Sequence, residues 1–171
     1  LSISCTTRPR RVGEKNKKDY IFIDDLNFEK IKKEKAFLES AKVFGYQYGT
    51  LKKTIEDFFK KKKDVLFDID WQGYQQLKQS GQDVVGIFIL PRSKKELIQR
   101  LEKRGRDTKS EMKKRMNLVQ DEISHFPEYD YVVINKDINK CAYQILSIIS
   151  TERLKRSRLT NLTKFVDKFR H

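Results

Sequence analysis

The stretch Asp64-Val65-Leu66-Phe67-Asp68-Ile69-Asp70-Trp71-Gln72-Gly73 decides the fold class of this 171-residue chain. Its first seven residues are an apolar run that ends in acid, which predicts a buried strand terminating at Asp68 and Asp70. Trp71-Gln72-Gly73 then turns the chain into a helix that stops near Ser80-Gly81. A strand feeding straight into a helix is the repeating unit of α/β folds, and the same alternation continues downstream. Val84 to Leu90, the most apolar run, predicts a central parallel strand closed by Pro91. Ser93 with Glu96 forms a capping box for a helix whose Leu97, Ile98 and Leu101 share one face up to Arg104-Gly105. Thr108 with Glu111 opens another, through Met112, Met116, Val119 and Ile123. Tyr131 to Asn135 predicts a further strand, and Ile138 to about Arg158 a long helix. The expected class is therefore α/β, a mostly parallel sheet flanked by helices.

Upstream of Asp64 the rhythm changes. Leu1 to Cys5 and Tyr20 to Ile23 predict two short strands. Asp24 or Asp25 caps a helix through Phe28 and Ile31. Phe37 to Val43 follows, then an aromatic, turn-rich segment, Phe44 to Thr50. Leu51, Ile55, Phe58 and Phe59 are spaced as one face of a helix. Residues 20–50 thus break the alternation and predict a small inserted lobe in a single domain. Its core is residues 1–19, 51–92 and 125–171, and residues 93–124 form a helical hairpin.

The net charge of +14 calls for anionic partners: nucleotides, nucleic acid or an acidic membrane surface. The run Lys60 to Lys63 is also explained as a solvated helix end. Cys5 and Cys141 stand far apart, which gives no disulfide framework and no zinc spacing and fits a reducing, cytoplasmic setting. No stretch approaches the ~20 apolar residues of a membrane span. Leu1-Ser2-Ile3-Ser4 already alternates like a strand without a starting methionine. That predicts roughly 20–35 further residues upstream, the size of one strand–loop–helix unit.

Four constellations carry chemistry. The first is Ser4-Cys5-Thr6-Thr7-Arg8-Pro9-Arg10-Arg11-Val12-Gly13-Glu14 with Asp19-Tyr20, which gathers hydroxyls, a phenol and guanidinium forks that match phosphate oxygens two at a time. The second is Glu39 with Tyr48-Gly49-Thr50. A carboxylate accepts two hydrogen bonds from one planar group, and guanine offers N1–H beside its N2 amine where adenine does not. On this reading Glu39, Ser4 and Thr50 read guanine while Arg8, Arg11, Tyr20 and Tyr48 hold its phosphate; the alternative is a surface helix glutamate. The third is Asp68 and Asp70, at the strand end where open α/β sheets bind ligands. They order a metal or orient donors around phosphates, or one of them simply caps the Trp71 helix. The fourth is Arg100, Arg104 and Arg115 on the helical hairpin, a closing lid that brings positive charge to a transferring phosphoryl group. Pairing with Glu102 or Glu111 on the surface is the other explanation. His125 and His171 are isolated, and no nucleophile–base pairing is visible.

Taken together, these residues resemble the guanylate kinase family. The run Ser4 to Glu14 with Asp19-Tyr20 is similar to the family's GMP-phosphate segment. Glu39 and Tyr46-Gln47-Tyr48-Gly49-Thr50 resemble its guanine segment, Asp68 to Gly73 its acid-strand motif, and Arg100 to Gly105 with Arg115 its lid. Val133-Ile134-Asn135 resembles its last strand. The resemblance covers nearly the whole chain in order. It implies a P-loop-kinase-like core with a GMP-binding lobe and a lid, and transfer of the γ-phosphoryl of ATP to GMP with Mg²⁺. It implies that Ser4, Glu39 and Thr50 contact guanine and that Arg8, Arg11, Tyr20 and Tyr48 hold the GMP phosphate. Asp68 and Asp70 lie near guanine or the metal and phosphates, Arg100, Arg104 and Arg115 serve the transferring phosphoryl, and Arg100, Arg104 and Asn135 face ATP. GMP and ATP are the expected partners, with neither nucleic acid nor membrane among them. The family's phosphate loop belongs before Leu1. Pro9 comes one place earlier than the family often has it, which leaves Arg10 as an alternative to Arg11. Two rival readings are a related scaffold domain that binds phosphopeptides without catalysis, and a basic nucleic-acid binder.

Overall fold

The computed structural model describes residues 1–103, 116 and 119–170. The chain divides into two compact units, Leu1–Val85 with Asn117–His125, and Gly86–Met116 with Phe126–His171.

The first unit is built on a four-stranded mixed sheet. β1 (Cys5–Thr6) lies between β2 (Ile21–Phe22), which runs parallel to it, and β4 (Tyr46–Leu51), which runs antiparallel. β4 pairs antiparallel with the edge strand β3 (Phe37–Val43), Glu39 opposite Thr50 and Ala41 opposite Tyr48. Phe44 and Gly45 turn this hairpin with φ of 50° and 85°. Positive φ at both turn residues matches the natural twist of the two strands. The segment expected to be turn-rich, Phe44 to Thr50, is therefore a two-residue turn followed by strand: Tyr46, Tyr48 and Thr50 favour a pleated, half-buried surface, and β3 lies alongside to supply the ladder.

Helix α1 (Asp25–Lys33) starts at Asp24, whose Oδ1 accepts the Asn27 N–H at 2.7 Å. It covers one sheet face with Phe28, which packs on Phe37 at 4.5 Å between ring centroids, with Cys5 completing a buried cluster. Ile21, Ile23, Ile31 and Leu51 close that cluster from the sides. Burial pushes the Cys5 thiol up to about 11, so it serves here as a small apolar residue. Helix α2 (Lys52–Lys60) leaves β4 directly, with Ile55 buried. Helix α3 (Trp71–Gln79) packs on β3. The Gln76 carboxamide takes the place of a neighbouring strand at Ser40, accepting its N–H at 3.0 Å and donating to its carbonyl at 2.8 Å. That satisfies backbone groups which an edge strand otherwise leaves open.

Residues 64–70 do not form the expected strand. The Ser2 N–H donates to the Leu66 carbonyl at 2.8 Å, and Leu66 is 56% exposed. An apolar run becomes a strand only where a neighbour completes its ladder, and among the described residues no strand pairs with it. The acids at its end are nonetheless placed by the start of α3.

The second unit contains a parallel pair, β5 (Ile87–Pro91) and β6 (Tyr131–Asn135), in register from Ile87 opposite Tyr131 to Pro91 opposite Asn135. Asp130 fixes the register at its start by accepting the Gly86 N–H at 2.7 Å. The central, fully buried strand expected from Val84 to Leu90 is shorter than its apolar run. Ile89, Val132 and Ile134 are nearly half exposed, while Val133 is buried. Helix α4 (Lys94–Lys103) follows Ser93, whose Oγ accepts the Glu96 N–H at 3.2 Å. Helix α5 (Ile138–Arg153) ends before the expected Arg158 because buried Glu152 draws the chain back. It accepts from the Tyr131 hydroxyl at 2.5 Å, from Lys155 at 2.7 Å and from Arg158, whose guanidinium also bonds the Glu152 carbonyl. Lys155, Tyr131 and Arg158 hold the Glu152 carboxyl down to about 2. A short helix, α6 (Leu162–Asp167), follows. Among the described residues no helix is long and apolar enough to cross a membrane.

Candidate nucleotide-binding site

The exit of β1 leads into a corner built around Arg8. Thr6 and Thr7 clasp the backbone of Gln47: the Thr6 hydroxyl donates to its carbonyl at 2.9 Å, and its N–H donates to the Thr7 hydroxyl at 3.1 Å. Thr6 Oγ1 also accepts the Arg8 N–H at 3.1 Å, so the arginine backbone is fixed beside β4. The Arg8 side chain is 8% exposed and grips Glu14 with both terminal nitrogens, at 3.1 and 2.7 Å. Nη1 donates to the Pro9 carbonyl as well. Tyr20 and Phe22 flank the guanidinium at 5.4 and 5.8 Å from their centroids, and the Tyr48 hydroxyl is a further partner. Glu14 above all, by hydrogen bonding, raises the Arg8 pKa. The same pair holds the Glu14 carboxyl below its ordinary value, helped by the Arg11 N–H at 2.7 Å. A turn from Arg11 to Glu14 makes this possible, with Gly13 at φ 88°. An L side chain is strained at that φ.

A second cluster joins this corner through the sheet. Ser4 Oγ and Thr50 Oγ1 lie 3.2 Å apart, and Thr50 is fully buried. Thr50 hydrogen-bonds Glu39, which is 3% exposed. Burial raises the Glu39 pKa, the Thr50 bonds pull it down, and the charge of Asp70 raises it further. Asp70 caps α3, accepting the Gly73 N–H and the Gln72 amide, both at 3.0 Å. Desolvation raises its pKa too. Burial, and next the charge of Asp68, raise the pKa of the Tyr20 phenol, whose ring meets Tyr48 edge-on at 6.0 Å.

Gly73 is where helix and carboxylate meet. A methyl added there would stand 2.8 Å from Glu39 Oε2 and 3.3 Å from the Ile69 side chain. A helical glycine replaced by alanine ordinarily gains about 1 kcal/mol. Here the gain is reversed: Gly73→Ala is expected to lower stability by about 1–2 kcal/mol in urea unfolding, because overpacking outweighs propensity.

Ser4, Arg8, Tyr20, Glu39, Tyr48, Thr50, Asp68 and Asp70 thus fall within one unit and are linked by contact or by charge. Arg11 contributes its backbone to the same corner, with its side chain exposed like that of Arg10. Arg100 lies in the other unit, on α4, where it donates to Glu96 at 2.6 Å. Asn135 ends β6, and Arg104 and Arg115 lie outside the described residues. An open cleft of about 440 Å³ beside β3, lined in part by Lys32, Lys42 and Gln47, holds none of these residues. Two carboxylates were not singled out from sequence. The signal for Glu14 is its place three residues after Arg11, one turn away. Glu122, whose carboxyl is raised to about 6 mainly by burial, carries no local sequence signal.

A corner of paired arginine, phenols and buried hydroxyls in one unit with a desolvated carboxylate has the chemistry of a site for a phosphorylated planar ligand, which puts the chain among nucleotide-binding α/β proteins. Comparison with known proteins narrows this. The guanylate kinase family model matches residues 1–152. A guanylate kinase of Novosphingobium aromaticivorans is 48% identical over 167 residues, 97% of this chain and 76% of that protein. One of Zymomonas mobilis is 46% identical over 169 residues, 98% of this chain and 78% of that protein. The crystal structure of guanylate kinase from Anaplasma phagocytophilum superposes with a TM-score of 0.84 at 36% identity, covering 98% of this chain and 82% of that one. The chain belongs to the guanylate kinase family.

Proposed function

We propose that this chain transfers the γ-phosphoryl group of ATP to GMP, giving ADP and GDP. Family membership supports the reaction, and one observation supports the division of labour: a buried carboxylate bonded to a buried hydroxyl stands in the same unit as the Arg8 corner. Glu39, Ser4 and Thr50 read guanine, the carboxylate accepting N1–H and the N2 amine. Arg8, Arg11, Tyr20 and Tyr48 hold the GMP phosphate. Three of the five Arg8 N–H groups are used by Pro9 and Glu14, so the fork is rigid before any ligand arrives. Asp68 and Asp70 border this pocket. Arg100, Arg104 and Arg115 stabilise the charge of the phosphoryl in transit, and Arg100, Arg104 and Asn135 contact ATP. Residues 20–50 act as the GMP lobe and residues 93–124 as the lid. The reading places the protein in the cytoplasm, where both nucleotides are.

Mg²⁺ enters as part of the ATP substrate. Asp70 is engaged as the cap of α3 through the Gly73 N–H and the Gln72 amide, and Asp68 is exposed. The chemistry then needs positioning and charge neutralisation, with no covalent intermediate on the protein. The test is calorimetry with GMP, AMP and an RNA oligomer, together with ADP release from ATP in the full-length protein. GMP binding and GMP-dependent ADP release are expected, with no response to AMP. Binding of the oligomer without GMP would return the chain to the nucleic-acid reading.

A further inference from the structure

Glu39 lies where β3 is least regular. The pairing of β3 with β4 shifts register between Phe37 and Glu39, leaving Phe37 opposite Leu51 and Glu39 opposite Thr50. In an uninterrupted strand, residues two apart share a face. Here Phe37 joins the buried cluster of Phe28 and Cys5 and lies over Gly49, where an added methyl would meet its ring at 2.9 Å, whereas Glu39 Oε2 lies beside Gly73 of α3. A bulge re-aims the side chain next to it and interrupts the ladder there. Among the described residues β3 is also the edge of its sheet, with no strand holding it from outside. Gln76 supplies that hold at the very next residue. Its Oε1 accepts the Ser40 N–H at 3.0 Å, and its Nε2 donates to the Ser40 carbonyl at 2.8 Å and to the Gln72 carbonyl at 3.2 Å. Both amide protons and the carbonyl oxygen of Gln76 are thus committed. Gln76 stands one turn after Gly73, so one face of α3 both meets the Glu39 carboxylate and clamps the residue beside it. Water satisfies an open strand edge; a carboxamide tied to its own helix also fixes where that edge stands.

We propose that Gln76 is a positioning residue for base recognition: by holding the N–H and the carbonyl of Ser40 beside the bulge, it fixes the edge strand and with it the aim of the guanine-reading Glu39 carboxylate. The proposal rests on the reading of Glu39 given above. It assigns Gln76 no contact with substrate.

The test is a double-mutant cycle. Gln76→Met keeps the bulk, removes both halves of the clamp, and is made in the parent and in Glu39→Gln. Gln76→Glu, which keeps an acceptor for the Ser40 N–H and loses the donor to its carbonyl, is made in the same two backgrounds and carries the comparison should the methionine variant not fold. GMP and guanosine are titrated calorimetrically, and exchange of the Ser40 backbone amide is followed by NMR. In the parent, Gln76→Met is expected to bind both ligands about tenfold more weakly, as misplacing one charge-assisted contact allows, with faster Ser40 exchange. In Glu39→Gln the same change is expected to alter affinity less than about twofold, because a carboxylate that has been removed cannot be mis-aimed. A merely structural role would weaken binding equally in both backgrounds, and that result overturns the proposal. So does parent-like affinity in Gln76→Met, whatever its Ser40 exchange, and so does failure of both variants to fold, which would make the clamp a folding element. A parent that binds guanosine no better than adenosine overturns the reading of Glu39 and the proposal with it, while the Ser40 amide still reports whether Gln76 holds β3.

Discussion

Arg8→Lys is expected to weaken GMP binding roughly a hundredfold while leaving guanosine binding unchanged, since a bidentate charge-assisted contact is worth about 2–3 kcal/mol. The two ligands differ only in the phosphate, so the pair isolates what Arg8 does. Lysine retains the positive charge beside Glu14, so that carboxylate keeps a counter-ion and the turn from Arg11 to Glu14 keeps its anchor. What lysine lacks is the planar fork. In the parent, Glu14 and Pro9 fix that fork from one side while Tyr20 and Phe22 flank it. An ammonium on a flexible stem satisfies Glu14 or a phosphate oxygen, but cannot be held flat between them. Arg8→Ala is the less informative variant, because it strips Glu14 of its partner and mixes a folding cost with the binding loss. Calorimetry with both ligands decides. Equal losses for GMP and guanosine would mean that Arg8 shapes the whole pocket and does not read phosphate.

The contrast between Arg8 and Asp64–Asp70 explains what was legible in the sequence. Arg8, Tyr20, Glu39 and Thr50 announce themselves by chemical type, since few residues match guanine and phosphate, and their joint order along the chain narrows the family. The α/β class was also legible, because Trp71–Gln79 and Lys94–Lys103 carry their own caps in Asp70 and Ser93. Strands depend on partners, which a local reading does not contain. Asp64–Asp70 has the composition of a strand and no ladder, whereas Phe44 to Thr50 was read as turn-rich, with Leu51 opening a helix, and Tyr46–Leu51 becomes a strand because β1 and β3 flank it. The partnership of Arg8 with Glu14 was hidden for a similar reason: both residues lie between Ser4 and Glu14, but only the turn at Gly13 brings them together.

Glu39→Gln is expected to remove most of the discrimination between guanine and adenine. A site that hydrogen-bonds a ligand's paired donors rejects an analogue lacking them by on the order of 10⁴-fold, because its own buried acceptor is then left unpaired. Glu39 meets that condition: it is 3% exposed, and Thr50 bonds its carboxylate. In Glu39→Gln the Thr50 contact survives on the remaining carbonyl oxygen, so the fold is preserved. The new amide points N–H groups at the guanine N1–H and N2 amine, donor against donor. GMP turnover efficiency should fall at least about tenfold, consistent with one or two lost charge-assisted bonds, while the stability of the fold and ATP binding stay near normal. The pH dependence supplies an independent check. Burial, and then Asp70, raise the Glu39 pKa against the Thr50 bonds, so the group takes up a proton at higher pH than an exposed glutamate. A protonated carboxyl offers one acceptor fewer. Guanosine has no phosphate to titrate, so its affinity should fall as the pH is lowered through that range in the parent and stay flat in Glu39→Gln. Unchanged preference for GMP over AMP, with parallel pH profiles, would show that guanine is read elsewhere and that Glu39 serves the sheet.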